Sequence, residues 1–157
     1  TALRAMLPQL LEKYDVIHIC GKGNLDESLA DTPGYKQYEF LSDGLRNLYA
    51  LADVVISRAG ANVICELLAL KKPNILIPLP LDQSRGDQIL NAESFEKQGF
   101  SYVLDQHAME KDSTLLSTAI ETVYAKREQY IAAMEESQQG NGVDQVIAVL
   151  REVVNNK

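Results

Sequence analysis

Residues 57–66, Ser57-Arg58-Ala59-Gly60-Ala61-Asn62-Val63-Ile64-Cys65-Glu66, hold the strongest chemical pattern in the chain. An apolar run ends there in a tight connection, and a segment of helical period begins. A helix starting at Ala61 leaves the amides of Ala61, Asn62 and Val63 with no carbonyl behind them. Those amides and the helix dipole favour a phosphate. Gly60 lets the backbone turn tightly and lets a ligand approach it closely. Any strand-to-helix turn has this form, and the spacing is neither GxGxxG nor the Walker pattern. An ordinary turn and an anion site are equally open. Glu66 falls one helical turn after Asn62, on the same face. A carboxylate there can accept from the vicinal hydroxyls of a ribose. The plainer reading of one acid on an otherwise apolar helix is that it faces solvent.

A second group spans Leu79 to Asn91. Asp82, Gln83, Ser84, Arg85, Asp87, Gln88 and Asn91 crowd a proline-bearing loop and the helix after it. Sugars are read by such side chains, because each hydroxyl needs a directional partner. On composition alone this is a solvated loop, with Asp87 supporting the dipole of the next helix. Gly21-Lys22-Gly23-Asn24 also follows a strand, but turn chemistry explains it as well. Phe40-Leu41 closes another strand, and an exposed aromatic there suits a nucleobase. His18 reads as a core histidine, His107 as surface and Cys65 as core. No Ser/His/Asp set, HExxH motif or cluster of metal ligands is present.

The elements that would position these residues alternate. A helix with Leu3, Met6/Leu7, Leu10/Leu11 and Tyr14 on one face opens the chain, with Pro8 kinking it or marking a new first turn. Strands are expected at 16–20, 35–40, 53–57, 74–78 and 101–104. Helices are expected at 43–51 (capped by Ser42 or Asp43), 61–70 and 86–98, then from Lys111 onward, with a break at 140–142 and a last helix at 143–154. Strands alternating with helices mean βαβ units and a Rossmann-like parallel α/β sheet with helices on both faces. The strands are solidly apolar, as expected when both faces are covered. Ligands of such sheets lie beyond the C-terminal strand ends, which directs attention to 21–24, 57–66 and 79–91.

Composition narrows the partners. The 157 residues carry a formal charge of −7. No basic field exists to neutralise phosphates, so nucleic acid is not an expected partner. Cys20 and Cys65 form neither a CxxC motif nor a disulfide framework, and a reducing, cytoplasmic setting is the simplest expectation. No apolar run reaches the ~18 residues of a membrane span, and no signal peptide opens the chain. The chain begins at Thr1, inside a helical pattern, which reads as a piece of something larger.

The segment from Ala52 to Phe100 (ADVVISRAGANVICELLALKKPNILIPLPLDQSRGDQILNAESFEKQGF) resembles the MurG glycosyltransferase family. That family moves N-acetylglucosamine from UDP-GlcNAc to lipid I in peptidoglycan synthesis. The resemblance covers residues 1–157 as the C-terminal, donor-binding half of a two-domain GT-B enzyme. It implies that the first strand and glycine-rich loop of this domain precede Thr1. It places Ala61, Asn62 and Val63 by the donor diphosphate and sugar, and it counts Gly60 and a family arginine at the turn, Arg58, among the substrate-binding residues. It places Glu66 at the ribose, Phe40 and Leu41 at the uracil, and Asp87 and Gln88 at the glucosamine, with Asn91 a substrate-binding residue of the same motif. The family often has two glutamines where this chain has Asp87-Gln88, and a bulkier residue at Asn62.

The resemblance further implies an inverting displacement with UDP as leaving group, with no cofactor and no metal. The general base and the lipid I acceptor site belong to the N-terminal domain, so no catalytic residue is expected in these residues, which alone would be inactive. The implied setting is the cytoplasmic face of the bacterial membrane, bound peripherally. Two alternatives stay open: the donor-binding subunit of a two-chain UDP-GlcNAc transferase, and a non-catalytic UDP-sugar-binding domain.

Overall fold

The computed structural model describes residues 2–41, 44–112 and 114–137. The order is α1 (Ala2–Leu10), β1 (Val16–Ile19), a 3-10 turn (Glu27–Leu29), β2 (Tyr35–Tyr38), α2 (Leu45–Leu51), β3 (Val55–Ser57) and α3 (Ala61–Ala69). Then follow β4 (Asn74–Leu76), α4 (Asp87–Lys97), β5 (Tyr102–Val103), α5 (Gln106–Lys111), α6 (Thr114–Ala125) and α7 (Arg127–Glu136). Every described strand pair is parallel, with Ile75 opposite both Ile56 and Tyr102. The pairs form two sheets, β1–β2 and β3–β4–β5. Among the described residues β1 and β3 each keep a free edge.

β4 explains the layering. Its residues Asn74, Ile75 and Leu76 are all buried. Successive side chains of a strand point to opposite faces. Ile75 joins Met6, Leu10, Leu116, Ile120 and Val123, from α1 and α6, in one core. Leu76 joins Leu67, Leu68, Ala92 and Phe95, from α3 and α4, in the other. Helices therefore cover both faces of the three-stranded sheet, as the βαβ pattern requires. β4 meets the expectation of strands covered on both sides in full, and β5 meets it in part, with Tyr102 half-buried against the first core and Val103 against the second. In β1, Ile17 and Ile19 are 46% exposed, and Ile56 of β3 is 38% exposed. Apolar composition reports that a strand is built for burial; it does not say which chain covers it.

Several boundaries differ from the expected ones for local reasons. α1 continues through Pro8, and its ladder resumes with Leu11 N–H donating to Leu7 O at 2.9 Å. α2 starts after Gly44, which adopts φ +98°; the expected caps Ser42 and Asp43 lie outside the described residues. The helix expected from Lys111 onward is two helices, α6 and α7, and α5, which ends at Lys111, was not expected. Asp105 caps α5 by accepting from Ala108 N–H at 2.8 Å. Asp112 accepts from Thr114 N–H and Oγ1 at the start of α6. The expected break at 140–142 and helix at 143–154 lie outside the described residues.

His18 is half-buried on β1, with Nδ1 2.8 Å from the Tyr35 hydroxyl, as a satisfied core histidine should be. Burial lowers its pKa below the ordinary value, and the charge of Arg4 lowers it further. The folded state thus favours the neutral ring. Below about pH 6.5 the unfolded chain takes up a proton that the folded one resists, so stability falls as pH drops from there. His18→Gln should flatten this part of the pH dependence, read from urea unfolding at pH 5.5 and 7.5.

Candidate functional site

β3 ends at Ser57, the chain turns over Arg58 and Ala59, and α3 begins at Ala61 with Gly60 as its N-cap. The first helical bond runs from Ile64 N–H to Gly60 O at 3.1 Å, and no side chain caps the helix. The amides of Ala61, Asn62 and Val63 are left over, as the sequence anticipates. Ala61 and Asn62 are exposed and Val63 is half-buried. The structure corrects the expected reason for Gly60. Its φ is −68° and its ψ 141°, which any residue adopts. A Cβ on Gly60 would meet nothing within 4 Å. Neither the turn nor the packing calls for glycine; what its absent side chain leaves is open space over the amides.

α4 is tied to this turn. Asn91 Nδ2 donates to Ala59 O at 3.0 Å, and Gln88 Oε1 accepts from Leu79 N–H at 3.1 Å. These bonds fix both amides. Asn91 is left with its oxygen, an acceptor, and Gln88 with its nitrogen, a donor, so the pair offers opposite polarities. Asp87 is exposed in the first turn of α4, where its charge also suits the helix dipole. Gly86, before it, needs to be glycine: it has φ +89°, and a Cβ there would lie 2.9 Å from Leu81 Cδ2. Ser84 Oγ donates toward Leu79 O and Pro80 O, which folds the 79–85 loop back on itself.

Arg58 is exposed, yet its Nη1 is held twice, by Ile77 O at 3.1 Å and Gln106 Oε1 at 2.7 Å. Gln106 is 8% exposed and donates from Nε2 to Glu110 Oε1 at 2.8 Å. Its place in the site was missed from sequence. The signal was available, since Gln106 follows β5 at the same strand ends as the other loops. His107, beside it, is on the surface as expected, 3.5 Å from Asp82 and from Glu110.

Glu66 is exposed. The nearby Tyr49 hydroxyl is raised in pKa by burial first and by the charge of Glu66 second. Phe40 is 67% exposed and Leu41 half-buried, and no described hydrogen bond links either to the α3 turn. Cys65, expected in the core, is exposed, because α3 buries Ile64, Leu67 and Leu68 instead. Among the described residues, no group of three or more His, Cys, Asp or Glu is placed to hold a metal ion.

Parallel strands, helices on both faces and an uncapped helix start at the strand ends define a Rossmann-like domain of the kind that receives an anionic ligand. The chain belongs to the glycosyltransferase family 28 C-terminal domain, whose family model matches residues 1–150. It is 52% identical over 151 residues to the UDP-N-acetylglucosamine--N-acetylmuramyl-(pentapeptide) pyrophosphoryl-undecaprenol N-acetylglucosamine transferase of Lachnospira eligens, with 96% of this chain and 42% of that protein covered. The protein of the same name from Geobacillus thermodenitrificans is 49% identical over 150 residues, with 96% and 42% covered. These are the MurG proteins that the sequence resembles. The crystal structure of Acinetobacter baumannii MurG superposes with a TM-score of 0.70 at 24% identity, covering 96% of this chain and 46% of that one. The fold is therefore the C-terminal half of a GT-B glycosyltransferase. The chain spans about two-fifths of the length of the curated relatives it matches.

Proposed function

We propose that residues 1–157 are the donor-binding domain of an N-acetylglucosaminyltransferase that moves GlcNAc from UDP-GlcNAc to undecaprenyl-diphosphate-linked MurNAc-pentapeptide. The observation that carries this reading is the start of α3. Its leftover amides lie under the open space at Gly60, with Glu66 one turn further on, in a chain half identical to proteins named for that reaction. The diphosphate would meet the amides of Ala61, Asn62 and Val63. Glu66 would accept from the ribose hydroxyls, and Phe40 and Leu41 would receive the uracil. Asp87, the Gln88 donor and the Asn91 acceptor would read the sugar hydroxyls.

In this mechanism the acceptor hydroxyl attacks the anomeric carbon and UDP leaves with inversion. Charge grows on the diphosphate as the glycosidic bond breaks, and fixed amides stabilise it without having to reorganise. The general base and the lipid I site would lie outside these residues, in an enzyme held peripherally at the cytoplasmic membrane face. No helix among the described residues is long and apolar enough to cross a membrane. The free edges of β1 and β3 support one further part of the reading. Val16 of β1 and Val54, just before β3, pack on the same core, so a strand from elsewhere in the protein can lie between the two sheets and join them.

Calorimetric titration of UDP-GlcNAc into the complete protein tests the site, beside Glu66→Ala and UDP-glucose. Glu66→Ala should weaken UDP-GlcNAc binding about tenfold, the loss of charge-assisted bonds to the ribose. UDP-glucose should bind more weakly than UDP-GlcNAc. Absence of binding at millimolar UDP-GlcNAc, or binding indifferent to Glu66→Ala, would refute the assignment.

A further inference from the structure

We propose that Gln106 is a positioning residue that holds the Arg58 guanidinium, with its full charge, beside the diphosphate-binding amides of α3; this rests on the donor-site reading above. Arginine only donates and a carboxylate only accepts, so the bonds to Arg58 and Glu110 fix the Gln106 amide in one orientation. Its oxygen faces Arg58 and its nitrogen faces Glu110. The amide is buried while its partners Arg58 and Glu110 are exposed, so both bonds are half-buried and anchored from the Gln106 side.

The choice of an amide matters for charge. Glu110 is the anion nearest this chain of bonds, but it reaches Arg58 only through Gln106. A carboxylate at position 106 would also hold the guanidinium, and it would neutralise it. A glutamine restrains Arg58 without cancelling its charge. Both described bonds of Arg58 use Nη1, so Nη2 and Nε have no partner among the described residues. Arg58 lies two residues before the N-cap of α3, and its guanidinium is held at the strand ends between Ile77 O, just after β4, and Gln106, at the start of α5. A planar cation with two donors to spare suits a phosphate group.

Positioning and structural roles separate by ligand. Uridine offers the base and ribose but no phosphate. A fold damaged at α5 would lose uridine and UDP alike, whereas loss of Arg58 placement would affect UDP alone. Affinities for UDP and uridine should be measured by titration of the complete protein, with Gln106→Leu, Gln106→Glu, Arg58→Ala and the Gln106→Leu/Arg58→Ala pair, each checked by thermal melting. Gln106→Leu and Gln106→Glu should each weaken UDP about tenfold and leave uridine within about twofold. Gln106→Glu keeps an acceptor for Arg58, so it stays informative if Gln106→Leu does not fold. The double variant should lose no more than Arg58→Ala alone. Unchanged UDP affinity in Gln106→Glu, equal losses for UDP and uridine, or additive losses in the double variant would each overturn the proposal. If the unaltered protein binds no UDP, the donor-site reading falls, and this inference with it. If UDP binds and depends on Glu66 but not on Gln106, only the inference falls.

Discussion

Gly60→Asp should give a protein that melts a few degrees higher and binds UDP-GlcNAc about a thousandfold more weakly. Gly60 already has the extended backbone of an N-cap, and its Cβ position is open. An aspartate there would accept from the amides of α3 that have no partner and would place its charge at the favourable end of the dipole. A few tenths of a kcal/mol from the cap and a similar amount from the dipole give about 0.5–1 kcal/mol, or roughly 1–4 °C in a domain of this size. The same carboxylate would take up amides meant for the diphosphate and repel it. Two charge-assisted bonds at about 2 kcal/mol each amount to about a thousandfold in affinity. Melting and titration of one preparation read both effects. Opposite signs are the test, since a damaged fold would lower both. Higher stability with unchanged affinity would mean that these amides do not meet the ligand. The natural chain leaves unused a cap that its backbone would accept, as the proposed donor site requires.

α3 and β4 were legible because their signals are local and agree with one another. Gly60, the helical period and the Lys71-Lys72-Pro73 stop mark one element, and the apolar run after it marks the next. The α3 turn was legible for the same reason, since an unpaired helix start follows from the helix itself. Cys65 was misplaced because an apolar helix gives little phase: Val63, Ile64, Cys65, Leu67 and Leu68 all suit a core, and packing against β4 and α4 selected Ile64, Leu67 and Leu68. α5 is six residues long and rests on the Asp105 cap, too short for a period to show. Gln106 joins Arg58 across a separation of 48 residues, a contact that no local pattern can announce. The bonds of Gln88 and Asn91 are likewise tertiary, so the sequence suggested sugar-reading side chains without their polarity.

Ile56→Lys and Ile17→Lys should each destabilise the complete protein by about 3 kcal/mol, although both residues are well exposed within the described chain. Leu51→Lys, at a residue 73% exposed on α2, should cost under about 0.5 kcal/mol. Ordinary surface logic would treat the three alike. The difference lies in where the isoleucines sit. Ile17 and Ile19 are on β1 and Ile56 is on β3, the two strands whose second edges are free beside a common core. A free edge is a row of unpaired amides and carbonyls, and exposed isoleucines along it make it adhesive. Proteins usually blunt such edges with charge, and neither strand carries a Lys, Arg, Asp or Glu. Covering by another strand resolves both the unpaired backbone and the apolar exposure. Burying an isoleucine contributes about 1.5–3 kcal/mol relative to exposure, and a lysine in its place adds the cost of desolvating an ammonium group. Urea unfolding of the complete protein distinguishes the cases. Three small and equal losses would leave the edges open and remove the support for a joining strand. Large losses at Ile17 and Ile56 alone would mean that the two sheets are halves of one, and that the α3 turn lies at the C-terminal end of a strand near the middle of a continuous sheet.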